Sequence, residues 1–200
     1  GRTIRICAAE TLAVRVNFVG ELGWEIHSPI EMQNYIFDRL MESGADLGLK
    51  PFGIRAMDSL RIEKSYRLIG TELSIEYAGY ESGLDRFIHP NKGEFIGRDA
   101  LVEWREKGFD NSFVTLEVHD VDDADALGNN PIYSEGEVIG RATGGNYGFR
   151  TQKSLALAMV RPQYAEIGKK LQMDILGKMH DVTVIPESPY DPDNLKLRDQ

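Results

Sequence analysis

A single cysteine, Cys7, is the only thiol in this 200-residue chain, so no internal disulfide can form and a reducing, intracellular setting is the expectation. No apolar run approaches the ~18 residues a membrane-spanning helix needs. Positive charge is also scarce. Lys plus Arg number 23 against 32 Asp plus Glu, a net charge of −9 with no basic cluster, which disfavours nucleic acid and anionic membrane as partners. The four histidines (His27, His89, His119, His180) are far apart and form no pair with a cysteine, so no metal site is expected. No G-x-S-x-G elbow, P-loop or dinucleotide-binding glycine loop is present. The chain lacks an initiator Met and a signal segment. It opens GRTIRICAAE, already in strand-like alternation, which reads as the interior of a longer protein.

What is present is an ordinary globular composition, 42% hydrophobic and 28% charged, sufficient for one large domain or two small ones. Alternation over Arg2–Ala8 and Leu12–Phe18 predicts a hairpin, and Trp24–His27 a short strand. Ser28, Pro29 and Glu31 form a capping-box signature for a helix whose apolar line is Met32, Ile36 and Leu40. A second helix is expected from Pro51 to Lys64 and a third from Arg98 to Lys107. From Ser112 the texture changes to six short strand-like segments, FVTLEV, PIY, EVIGRAT, LALAMV, KLQMDIL and DVTVI, which suggest a small antiparallel barrel or sandwich. VDDADALGNN reads as a solvated acidic loop. GRATGGNYG reads as a hairpin turn, because no helix start follows it to receive a phosphate.

Two stretches carry candidate chemistry. In FVGELGWEI, strand alternation turns Glu25 away from Trp24 and Ile26. A solvent-facing strand carboxylate is the default reading; the alternative is an acceptor for two parallel hydrogen bonds from an amidine-like ligand edge. In GIRAMDSLRIEKSYRLIG, Arg55, Asp58, Arg61 and Glu63 crowd one helix and read as surface i, i+3 and i, i+4 pairs, with Tyr66 an aromatic just past its end.

VRVNFVGELGWEIHSP (Val14–Pro29) resembles the hairpin of the folate-dependent aminomethyltransferase family, which includes the glycine-cleavage T-protein and the folate-binding portion of dimethylglycine and sarcosine dehydrogenases. GIRAMDSLRIEKSYRLIG is similar to the family's second-helix signature, ESGLDRFIHPNKGEFIGRDAL to its E-A-G-L … F-I-G-R-x-A-L run, and SPYDPDNLKLR to its C-terminal tail. These stretches occur in order over nearly the whole chain. Where T-proteins carry Ala-Arg-Asp, this chain has Ala56-Met57-Asp58, which with the Tyr190-Asp191-Pro192 tail is closer to the demethylating dehydrogenases.

The resemblance implies an α+β fold: the C-terminal half of the aminomethyltransferase folate-binding domain over residues 1–90, a connecting segment and helix over 91–110, and a small antiparallel β-barrel over 111–200. It implies tetrahydrofolate as cofactor, with Glu25 matching the pterin-binding glutamate, Phe18 standing where relatives often carry tyrosine, and Tyr66 at the rim of the ligand site. Arg61 and Glu63 match helix residues of a structural kind. The family's catalytic aspartate precedes anything equivalent to Gly1, so the catalytic residue here is unknown. In a dehydrogenase-like parent, an FAD domain and the N-methyl amine substrate site would also lie upstream, and the chain would be a C-terminal fragment, inactive alone. The implied reaction passes a one-carbon unit from an N-methyl amine to tetrahydrofolate. The alternatives are a stand-alone T-protein and a non-catalytic folate-binding module. The compartment would be the cytoplasm in a bacterium or the mitochondrial matrix in a eukaryote.

Overall fold

The structure, a computed structural model, describes residues 1–121 and 123–198. A hairpin forms, but its turn lies at Cys7–Ala8: β1 (Arg2–Ile6) pairs with β2 (Ala9–Val14), which starts earlier than the expected Leu12–Phe18 arm and ends before Arg15, and β3 (Glu25–His27) pairs antiparallel with the far edge of β2. Ala9, Thr11 and Ala13 are buried along β2, while Leu12 on its other face is exposed. The next helix starts differently from its sequence signature. Ser28 does not cap it: Pro29 precedes a short 3-10 turn (Ile30–Met32) with no side-chain capping bond, and α1 follows at Gln33–Gly44. Of its apolar line only Ile36 is buried, and Met32 and Leu40 stay exposed.

The second helix, α2, runs Ile54–Ile62, three residues later at its start and two shorter at its end than predicted. Pro51 and Phe52 stay outside it, and Gly53 takes an extended conformation at the cap position. The third, α3, is Arg98–Lys107, as its amphipathic spacing predicts.

All six C-terminal segments become strands: β4 (Ser112–Val118), β5 (Pro131–Ser134), β6 (Glu137–Gly148), β7 (Lys153–Val160), β8 (Lys170–Ile175) and β9 (Lys178–Ile185). They close into an antiparallel barrel in the order β4-β7-β6-β5-β8-β9, which removes exposed strand edges. A last short helix, α4, is Leu195–Arg198. The acidic loop lies between β4 and β5; its Asp122 falls outside the described residues.

LALAMV is apolar throughout because β7 is buried on both faces. Ala156, Ala158 and Val160 point into the barrel with Leu116, Ile132, Met173 and Val182. Leu155, Leu157 and Met159 point outward and pack with Ile62 of α2 and Phe113. That outer layer joins the helical part of the chain to the barrel.

GRATGGNYG is not a turn. It is the body of β6, with a register shift between Ala142 and Gly144. Its glycines report close backbone approach: a Cβ at Gly140 would sit 2.3 Å from the Met159 carbonyl oxygen, and one at Gly145 would sit 2.7 Å from Ala126 Cβ. The bulge re-aims Thr143, whose hydroxyl donates to Glu72 in the preceding loop.

Candidate functional site

The last turn of α2 and the residues after it build a frame of buried charge. Arg61 is not a surface residue, as its spacing suggested; it is buried, donates through Nε to Asp58 at 2.6 Å and through its terminal NH1 to the Tyr66 carbonyl at 2.9 Å. Asp58 accepts a second bond from Asn146 of β6 at 2.6 Å, which ties α2 to the glycine strand. Glu63, fully buried, accepts from the Arg150 backbone N–H at 2.7 Å, from Arg150 Nε and from the Thr151 N–H at 2.9 Å. Arg150 reaches on to the Val19 carbonyl and Glu21, both at 3.0 Å, and lies over the Tyr190 ring.

The tight turn of FVGELGWEI is therefore clamped from behind. Gly20 takes φ +79, its N–H donates to Asn17 Oδ1, and a Cβ there would strike the Lys64 side chain. Lys64 is buried and its ammonium donates to the Tyr190 and Asp191 carbonyls and to Asn194 Oδ1, at 3.0, 2.7 and 2.9 Å. Burial holds the Lys64 pKa below the ordinary lysine value, partly opposed by Asp191. Through Lys64 the C-terminal tail becomes one wall of the site.

These clamps leave a cleft of about 560 Å³ between the strand exit at Arg15–Phe18, the segment after α2, and the tail. Phe18 and Tyr66 both line it, with ring centroids 6.4 Å apart and planes inclined by 25°. Burial raises the pKa of the Tyr66 phenol, partly opposed by the nearby charge of Arg86. Phe18 is shared with a second cleft of about 540 Å³ along α2 and β6, whose wall includes Met57, Asp58 and the Gly144–Gly145 backbone.

Glu25 is placed elsewhere. It lies opposite Val14 in the three-stranded sheet, its side chain is 58% exposed, and it pairs with His27 at 3.2 Å. Glu25 is thus a solvent-facing carboxylate, the default reading of its strand, and it lines neither cleft. The structure brings together two of the three expected ligand residues, Phe18 and Tyr66. Sequence reasoning missed the cleft's Asn17, Arg15 and Arg86. Asn17, a polar residue between Val16 and Phe18 just past the end of β2, was the available signal.

Among the described residues, no three His, Cys, Asp or Glu side chains come together to hold a metal ion, and no helix is long and apolar enough to cross a membrane.

Comparison with known proteins follows the same division of the chain. Residues 1–92 match the GCVT N-terminal domain and residues 111–191 the glycine cleavage T-protein C-terminal barrel domain. The chain is 36% identical over 187 residues to the mitochondrial dimethylglycine dehydrogenase of Rattus norvegicus, a match covering 93% of this chain and 22% of that protein. It is 35% identical over 179 residues to the aminomethyltransferase of Desulfitobacterium hafniense strain DSM 10664 / DCB-2, covering 90% of this chain and 48% of that one. The chain therefore spans about a fifth of the dehydrogenase and about half of the aminomethyltransferase. The solved glycine cleavage system aminomethyltransferase T from Bartonella henselae superposes with a TM-score of 0.80 over 90% of this chain and 50% of that chain, at 23% identity, which shows a common fold. With both domains of one family matched in order and the same fold behind them, this chain belongs to the glycine cleavage T-protein (aminomethyltransferase) family.

Proposed function

We propose that this chain is the folate-holding and barrel portion of a tetrahydrofolate-dependent enzyme of the dimethylglycine or sarcosine dehydrogenase kind, divided into units at 1–90, 91–110 and 111–200. The observation that carries the reading is the Phe18–Tyr66 pair. Two inclined rings on a clamped frame, opening on a cleft with polar Asn17 and a cationic rim, suit a planar heteroaromatic ligand with an anionic tail. Tetrahydrofolate, when bound, supplies the nitrogens that capture a one-carbon unit. The residues of this chain hold the ring, exclude water from it and fix its approach.

Glu25 is the proposed acceptor for the pterin N–H groups. Strand pairing sets it beside Val14, outside the Phe18–Tyr66 cleft, with its carboxylate paired only to His27, so its role rests on the resemblance and the cleft reading rests on the two rings. The catalytic aspartate and, for a dehydrogenase-type parent, the FAD and amine sites belong to upstream parts of such a protein. The stand-alone aminomethyltransferase is the second reading, since identity to those relatives is nearly as high. Met57 in place of the T-protein arginine favours the dehydrogenase kind.

Titration of this chain with 5-formyltetrahydrofolate, followed by tryptophan fluorescence, tests the reading. Phe18→Ala and Tyr66→Ala are each expected to weaken binding by about tenfold, the loss of one stacking face at roughly 1–3 kcal/mol. Equal affinities in both variants and the parent sequence would remove the cleft from consideration.

A further inference from the structure

The loop between β2 and β3 carries Phe18 and has little structure of its own. Among the described residues, residues 17–24 make a single hydrogen bond with one another, from the Gly20 N–H to Asn17 Oδ1 at 3.1 Å. The loop's other hydrogen bonds come from two distant stretches, the β6–β7 turn and the C-terminal tail, and they converge on one side chain. Glu21 Oε1 accepts from Arg150 Nη1 at 3.0 Å and from the Tyr190 phenol at 2.6 Å. The third side of the triangle is the Arg150 guanidinium, which lies over the Tyr190 ring at 3.7 Å.

Arg150 is fixed without help from this loop. Its Nε is held by the buried Glu63, and its Nη2 donates to the Leu60 carbonyl at 2.9 Å. The same Nη1 that meets Glu21 also takes the carbonyl of Val19, the residue next to Phe18. The phenol–carboxylate bond is charge-assisted and short. That bond holds the Tyr190 pKa above the ordinary tyrosine value, with burial and the Glu21 charge adding to it. Glu21 itself is 44% exposed on its side chain and lines neither cleft. Arg150 already has its buried partner in Glu63, so what Glu21 adds is a tie on the loop.

We propose that Glu21 is a positioning residue: through Arg150 and Tyr190 it fixes the loop with the Phe18 ring already opposite Tyr66. The barrel and the tail thereby set ligand affinity without touching the ligand, because a loop ordered beforehand has no ordering cost left at binding. The consequence for affinity rests on the folate reading above; the fixing of the loop does not.

Hydrogen exchange and titration with 5-formyltetrahydrofolate test it on one set of variants. Glu21→Ala is expected to speed exchange of the Gly20 N–H by about tenfold or more and to weaken the folate by about tenfold, with the barrel amides exchanging as in the parent sequence. Glu21→Gln keeps an acceptor oxygen for both donors and is expected to change either quantity by about twofold at most. Tyr190→Phe leaves the ring under Arg150 and removes the hydroxyl; a loss of about threefold is expected, with none added when it is combined with Glu21→Ala.

Loop exchange that is unchanged in Glu21→Ala, or that quickens equally across the barrel, would overturn the assignment. So would additive losses in the double variant. A loosened loop with unchanged folate affinity would overturn the link to the ligand. No binding of the folate by the parent sequence would overturn the folate reading, and the exchange rates then decide the clamp by themselves.

Discussion

Glu63→Ala is expected to lower the unfolding free energy by about 3–5 kcal/mol, the cost of leaving a buried cation without its partner. Glu63 has no exposed surface, and its two oxygens take the Arg150 and Thr151 backbone N–H groups as well as Arg150 Nε. Removing the carboxylate strands a guanidinium whose side chain is 19% exposed, and orphans two N–H donors of the β6–β7 turn. The damage extends past the pair, because Arg150 also holds Val19, Glu21 and Leu60. Urea denaturation measures the loss. A change below about 1 kcal/mol would mean that Glu21 alone can neutralise Arg150 and that the frame behind the cleft is not built as described.

Acid should find Glu72 next. Burial alone would raise the pKa of this carboxyl, but bonds from Thr143, Thr71 and the Leu68 N–H, with the charge of Arg61, outweigh it and hold the pKa below the ordinary glutamate value. The unfolded chain, with a pKa near ~4.3, then takes up the proton first. Stability from this group is complete above that value and is lost as the pH falls through the lower folded-state pKa. The urea midpoint is expected to drop steeply below about pH 4. In Glu72→Gln that drop becomes shallower, while at pH 7 the variant is less stable by about 1–3 kcal/mol, since an amide cannot accept all of these bonds. Parallel pH profiles for the two proteins would contradict the linkage.

Glu72 also shows where reading the sequence stops short. The barrel was legible because each of its six strands is a short apolar or alternating run between turns, and closure follows from edges that need partners. Helix α3 was legible for the same local reason. Long-range polar contacts were not. Thr143 meets Glu72 only because β6 bulges, and Arg150 meets Glu63 only because a hairpin folds back on α2; no spacing along the chain encodes either pair. Arg61 therefore looked like a surface residue and is a buried one.

The glycine run misled for a related reason. Glycine marks both turns and close backbone contact, and only the packing of Ala126 and Met159 against β6 decides between them. In the candidate site, the resemblance names Phe18 and Tyr66 one by one; that their rings lie 6.4 Å apart comes from the structure. The exposure of Glu25 is the default reading of its strand; a ligand contact there was not legible, because alternation says which side of a strand a residue takes but not what covers that side.

The central claim, that the Phe18–Tyr66 cleft receives a reduced folate, is tested most directly by nitrogen–proton correlation spectra of the chain with and without 5-formyltetrahydrofolate. The amides expected to shift are those of Asn17, Phe18, Tyr66 and Gly83, around the rim of the cleft. Spectra that do not change, or shifts confined to β8 and β9 on the barrel, would contradict the account.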